Sequence, residues 1–587
     1  MKTEVRMKSF VFGDGWRLDG LTGVAVEATG FEPARDIQLC AGRNEYASFQ
    51  LAVEGGGPVE QIDVHAEECG GFECDIYVEW FHQSHGTLIP DLLVPYEAAH
   101  RAGFSKTAGK HYQSDYAAYW IDVFVPKAIA PGEYEFNVSV TARGVKSIHR
   151  VAIMVYKAEL TDESMLIADM NNYADTLTRN FPSLAVNENR YIDGSYFACE
   201  RSFYRISHEH RLVFHHLPYT HSGVNYLAFA PKLSGEGKDI RVSDWSLFDQ
   251  HFGPYFDGSA FAGTKRGPIP VPYSYTPFNF DWPASYEKWG TEGFKVENRR
   301  ILIDFIKHFE EKGWTRTAFE IFFNHKKRYR FFPYDGDEIR HQPDIEHIYA
   351  YDAIFSDLMN LSRVQTVFRV DSSWSYGLHY HSDLSKIIKM WTVGSGILWK
   401  YPESFMYMKK QDNILWMYGG IPGIGEDLYK LYEWPMRCLQ NDFAGFLYWN
   451  TTGIGKDFLT CPSGDGSTTI YYPGHPFGLD EALPSVRMKY LRNAMQTADL
   501  IKMHEGTNTF TTMREVIDEL YGVARNEWYD ELPDSWKVPP HELTNDILGS
   551  APGNHPSRNA TPALPAKVKE KMLEIASSHT GGKSRWA

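Results

Sequence analysis

At 587 residues, the chain is too long for one ordinary domain and predicts two or three units. It is 43% hydrophobic and 15% aromatic, enough for a large core with rings left over for a binding surface, and its formal net charge is -16 with no extended Lys/Arg run. That balance argues against nucleic acid and anionic membrane surfaces as partners, and no apolar run reaches the roughly 18 residues of a membrane span.

The opening MKTEVRMKSFVFGDGW lacks the apolar core of a signal peptide, which reads as a cytoplasmic protein. Residues 1–160 read as β-structure. EYASFQLAV, YWIDVFVPKAIAPGEYEFNVSVTA and SIHRVAIMVYKAEL alternate apolar and polar residues between Pro and Gly turns, the pattern of a two-sheet sandwich. Over 161–505 the pattern changes to strands alternating with helices. MLIADMNNY, LVFHHLPY, TAFEIFF, QTVFRVD and FAGFLYWN read as strands. SYFACERSFYRISHEHR, ENRRILIDFIKHFEEKGW, HIYAYDAIFSDLMNLS, DLYKLYEWPMRCLQND and SVRMKYLRNAMQTADLIKM have helical periodicity. No Gly-rich phosphate loop opens any helix, and polar residues gather just after strands. This predicts a (β/α)₈ TIM-like barrel with its chemistry at the strand C-terminal ends. Residues 506–587 read as a C-terminal helical extension followed by a Pro- and Gly-rich irregular arm. The fold class expected is thus multidomain α/β.

Cys40, Cys69, Cys74, Cys199, Cys438 and Cys461 are scattered and never form C-x-x-C. They read as reduced thiols rather than a disulfide frame or zinc site. The histidines do not suggest a metal either: His215 and His216 are adjacent on a strand and face opposite sides, and His208 and His210 are two apart on a helix. Nothing in the sequence calls for a cofactor.

The strand ends carry a different signal. Asp169, Asn171, Asn172 and Tyr173 follow the first strand, and His215, His216, Tyr219 and His221 the second, with Asn172, Tyr173, His216 and Tyr219 the favoured contacts. Asp371, Trp374 and Tyr376 follow another, and Tyr448, Trp449 and Asn450 the last. Amides, imidazoles and carboxylates pair with hydroxyls, and flat rings stack on the C–H face of a pyranose. Any one of these rings could instead cap the core, but four such loops together point to a carbohydrate. Acids are concentrated in RYRFFPYDGDEIRHQPD, where Asp337 and Glu338 are neighbours. DGDE can be a turn, a cation loop without the further ligands of an EF-hand, or a catalytic pair. Glu320, Asp371 and Glu426 are rival acids.

GDGSTTIYYPG leading into HPFGLDEALPSVRMKYLRNAMQTADLI, with GFLYWN, DMNNYAD, HEHRLVFHHLPY and FVPKAIAPGEYEF upstream, resembles the β-N-acetylgalactosaminidases of glycoside hydrolase family 123. The resemblance covers nearly the whole chain to about residue 503. It implies an N-terminal sandwich, a barrel, and an adjacent Asp-Glu pair matching Asp337 and Glu338. Two departures stand out: Ile339 replaces a proline, and NHKKRYRFFPYDG separates the pair from its strand. The resemblance implies substrate-assisted hydrolysis with retention. Asp337 would orient and stabilise the substrate's 2-acetamido group as it attacks C1, and Glu338 would act as acid and then base. An ionised Asp337 beside it would keep Glu338 protonated. Two alternatives stay open: a glycosidase for another sugar, pairing Glu338 with Glu320 or Asp371, and a non-catalytic carbohydrate-binding protein. A homo-oligomer is compatible with the sequence.

Overall fold

The computed structural model describes residues 8–27, 29–55, 59–64, 71–84, 86–102, 114–142, 144–173, 176–178, 181–184, 194–216, 220, 230–279, 281–323, 334, 336, 342–359, 362–372, 384, 387–394, 409–410, 413–455, 458–459, 468–522 and 559–578. Nine strands come first: β1 (Ser9–Gly13), β2 (Ile37–Arg43), β3 (Glu45–Glu54), β4 (Val59–Val64), β5 (Glu73–Ser84), β6 (Thr87–Pro95), β7 (Tyr116–Val125), β8 (Gly132–Ala142) and β9 (Val145–Glu159). They form two sheets, β1-β3-β7-β5-β6 and β2-β9-β8-β4. Phe49, Ile121, Val138 and Val151, two from each sheet, belong to one shared core. Alternation explains the outer sheet: His149, Val151, Ile153 and Val155 of β9 are buried while their neighbours are not. β3 and β7 are instead buried on both faces, because the helix Val486–Lys502 covers their other side. Gln496 of that helix bonds both the N–H and the carbonyl of Tyr46, at 2.8 and 3.0 Å.

The rest of the chain builds a third sheet, entirely parallel. Its strands are β10 (Ile167–Met170), β11 (Val213–Phe214), β14 (Tyr273–Tyr275), β15 (Ala318–Ile321), β16 (Gln365–Ser372), β17 (Met390–Gly394), β18 (Ile414–Gly420) and β19 (Gly445–Trp449). Two small hairpins, β12 (Lys232–Ser234) with β13 (Arg241–Asp244) and β20 (Tyr471–Pro473) with β21 (Ala482–Pro484), stand apart from it. The order is β11-β10-β19-β18-β17-β16-β15-β14. The first strand therefore pairs with the last, and chain order runs around the sheet. Among the described residues no hydrogen-bonded ladder joins β11 to β14, so the closed barrel expected from the sequence appears as an eight-stranded sheet with one seam. The side chain of His215 bridges that seam, 2.7 Å from the carbonyl of Tyr273.

The five helices expected over 161–505 are present, while Tyr96–Arg101 and Ser246–Phe256 were not expected. Glu292–Lys312 starts earlier than the sequence suggests, because the Thr291 hydroxyl accepts the Phe294 N–H as an N-cap. After the Pro- and Gly-rich stretch comes a further helix, Leu564–Ser578, whose Lys569 pairs with Glu45 at 2.8 Å. Among the described residues, no helix is long and apolar enough to cross a membrane.

Candidate active site

One face of the parallel sheet is lined by alternate residues of every strand. Ile167, Val213, Tyr273, Val367, Met390, Trp416 and Leu447 form one apolar cluster there, with Phe322 just beyond β15. Side chains two residues further along β10, β14 and β16 are polar, and so are those at the corresponding places after β11 and in β15. Asp169 of β10 accepts hydrogen bonds from His215 Nδ1 (3.0 Å) and from the Tyr275 hydroxyl (3.0 Å). Arg369 of β16 donates to the Tyr275 hydroxyl at 2.6 Å and meets Glu320 of β15 at 3.3 Å. Its guanidinium also lies 4.6 Å from the Phe322 ring centre. A chain of buried charge and hydrogen bonds thus crosses from the first strand to the fifth, above an apolar floor. Asn171 sits above Asp169, held by its N–H to the Tyr448 carbonyl (3.0 Å) and its carbonyl to the Thr451 N–H (2.9 Å). Its Nδ2 reaches the Tyr275 hydroxyl at 3.4 Å, while among the described residues its buried Oδ1 has no hydrogen-bond partner. Half-buried Tyr418 and Trp449 form the rim, and the Trp449 indole N–H donates to the Tyr173 hydroxyl at 3.3 Å.

The structure separates the residues singled out from the sequence. Tyr173 and Trp449 come together on this inner face. Asn172 spends its amide N–H on the carbonyls of Met170 and His215, tying the ends of β10 and β11 together. Asn450 takes a left-handed backbone (φ 55°) at the end of β19, and its carbonyl accepts from Thr468 at 3.4 Å. Asp371 lies in β16, its backbone paired with Thr392 of β17. Asp337, Glu338, Tyr219, Trp374 and Tyr376 lie outside the described residues.

Two of the expected sugar contacts face the helices instead. Tyr448 is fully buried, its ring centre 5.1 Å from that of Trp434, and burial pushes its hydroxyl well above the ordinary tyrosine range. His216 Nδ1 lies 2.9 Å from Glu200, which also takes His251 Nε2 (2.6 Å) and the Tyr255 hydroxyl (2.9 Å). Burial alone would raise the Glu200 carboxyl, but His251 and His216 outweigh it and hold the group below the usual carboxylate range. In both cases the neighbouring residue, Trp449 or His215, is the inward one, as strand alternation requires.

The rival acids also differ. Glu320 is fully buried in the inner network. Glu426 follows β18 and pairs with Lys430 at 2.8 Å; burial raises its carboxyl, but that pairing and the Gly423 N–H bring it below its ordinary range. Its carbonyl receives Arg17 from the segment between β1 and β2. Reading by strand end missed Arg369, Tyr275 and Tyr418. Even spacing within FRVDS, VPYSYTP and WMYGG could have located them once the strands were known.

No protein-family model matches the sequence, and no curated protein matches it significantly. The fold does match a solved structure: a family 123 glycoside hydrolase from Clostridium perfringens, studied for glycolipid glycan hydrolysis, superposes with TM-score 0.61 over 98% of this chain and 98% of that one at 12% identity. The chain has the fold of a family 123 glycoside hydrolase. That is the family its sequence motifs resemble. Looser overlaps, TM-scores 0.30 and 0.29, join it to a Parabacteroides merdae β-glucuronidase (8% identity, 77% of this chain and 50% of that one) and a GH10 xylanase with a bacterial Ig-like domain from termite gut (9%, 65% and 90%).

Proposed function

We propose that this protein is a glycoside hydrolase, and within that class a retaining β-N-acetylhexosaminidase, with N-acetylgalactosamine the favoured sugar. The observation that carries the reading is the inner face. A layer of carboxylate, imidazole, phenol and guanidinium lies under half-buried Trp449 and Tyr418 at the C-terminal ends of parallel strands, where such sheets do chemistry. The fold likeness to an enzyme of glycolipid glycan hydrolysis supports it. In this reading the eight strands close as a barrel with His215 spanning the seam. The catalytic unit is residues 161–505, between a sandwich of 1–160 and an extension of 506–587.

The chemistry falls to Asp337 and Glu338. Retaining enzymes with a protein nucleophile place two carboxyls about 5 Å apart across the sugar. Neighbours in sequence, with Cα atoms about 3.8 Å apart, serve one side of it, so the nucleophile is the substrate's own acetamide. Its carbonyl oxygen attacks C1 while Asp337 accepts the amide N–H. The bond from C1 to the leaving oxygen breaks, and that oxygen takes the Glu338 proton. Water then opens the oxazolinium at C1, giving its proton to Glu338. Aryl 2-acetamido-2-deoxy-β-galactosides should be hydrolysed and the matching 2-hydroxy galactosides hardly at all. Equal rates on both would remove the acetamide from the mechanism, and no hydrolysis of either would leave a carbohydrate-binding protein.

A further inference from the structure

Resting on the inner face as a sugar site, the register of the last two strands identifies where the ring lies. Gly420 pairs with Trp449 across the β18–β19 ladder, one pair beyond Gly419 and Tyr448. Paired residues point to the same side of a sheet, so position 420 shares the inner face with Trp449, and Tyr418 lies two residues before it. Gly420 is exposed. Among the described residues a Cβ built on it would meet no atom within 4 Å, and its backbone is not in the left-handed region. Nothing in the backbone therefore demands glycine here. This contrasts with Gly445 at the start of β19, where a Cβ would come within 2.6 Å of the Ile167 carbonyl. Beside it the Trp449 ring is anchored by its N–H to Tyr173, which fixes the plane that a ligand would meet.

We propose that Gly420 is a specificity-determining residue: its missing side chain leaves the shelf beside Trp449, walled by Tyr418, on which the ring of a 2-acetamido hexopyranose lies. A side chain at 420 would enter that space and exclude the ring without disturbing the strand.

The test compares wild type, Gly420→Ala and Gly420→Leu by thermal unfolding, calorimetric titration with free N-acetylgalactosamine, and kinetics on its nitrophenyl β-glycoside. Gly420→Leu should keep the wild-type Tm, yet lose about tenfold or more in affinity and gain as much in KM, with Gly420→Ala between. Unchanged affinity and KM in Gly420→Leu overturn the shelf while leaving the proposed hydrolysis intact. Wild type that binds the sugar, with Gly420→Leu losing it, but that cleaves no glycoside leaves the shelf standing and sinks the hydrolysis. Wild type that neither binds nor cleaves overturns both. If Gly420→Leu fails to fold, Gly420→Ala decides, since its single methyl meets open space; wild-type binding there overturns the shelf.

Discussion

Two buried polar networks in this molecule are built differently. Where the helix Val486–Lys502 meets the N-terminal sheets, Asp122 accepts from Lys489 at 2.6 Å, from both terminal nitrogens of Arg492 at 2.7 and 2.8 Å, from Ser48 at 2.8 Å and from Trp120 at 2.7 Å. Burial alone would raise its carboxyl, but Arg492 and Lys489 outweigh that and hold it well below the usual carboxylate range. Asp91 takes Arg487 at 2.8 and 3.0 Å and the Tyr472 hydroxyl at 2.7 Å. These acids are saturated with short bonds. On the inner face of the parallel sheet the Arg369–Glu320 contact is longer, at 3.3 and 3.4 Å, and among the described residues the buried Asn171 Oδ1 accepts no hydrogen bond. A saturated network holds two parts of a chain together; a buried acceptor left unused can take a donor from a ligand.

That contrast can be broken at either end. Asp122→Ala leaves Lys489 and Arg492 buried without their carboxylate and should cost about 3–5 kcal/mol of stability, read as a large fall in Tm. Glu338→Gln should do the opposite, keeping Tm while lowering turnover of natural glycosides by ~10²–10⁴-fold. Activated aryl substrates, which need less protonation, should lose less. A third test lies within the N-terminal sheets. Glu79 of β5 is buried, and among the described residues neither carboxyl oxygen has a hydrogen-bond partner; burial pushes it up to about 8 despite the nearby charge of Arg17. The folded state thus holds this proton more tightly than the unfolded chain does. Its stabilising effect is fully present below about 4.5, is lost progressively as pH rises to about 8, and the loss levels off above that. Glu79→Gln should remove that slope, raising Tm more on the alkaline side of the window than on the acid side. The smallest effect is expected from Tyr448→Phe. Among the described residues the buried Tyr448 hydroxyl has no hydrogen-bond partner, so removal should be neutral or stabilising by about 1 kcal/mol, with kcat/KM unchanged. A loss of activity would return Tyr448 to the site.

The parts legible in the sequence were those with long periodic signals. Val151, Ile153 and Val155 announced β9, and the apolar positions of Ile301, Phe305 and Phe309 announced a helix now seen buried on that stripe. Strands of two to five residues carry too few alternations to fix which residue faces inward. β11 is Val213–Phe214 alone, and the choice of His216 over His215 had no periodicity to guide it. β14, β17 and β18 also passed unnoticed, and with them the frame for Tyr275 and Tyr418. Arg369 reads in sequence as a strand residue like any other. Its role depends on Tyr275 and Glu320, 94 and 49 positions away in the chain, and no local pattern contains that.

The central claim is that the substrate's acetamide, not a protein carboxylate, attacks C1. Proton NMR of the sugar first released from an aryl 2-acetamido-2-deoxy-β-galactoside tests it most directly. The account predicts the β-anomer ahead of mutarotation, with negligible release from the 2-hydroxy counterpart. An α-anomer as first product would contradict it, even if Glu338 proved indispensable.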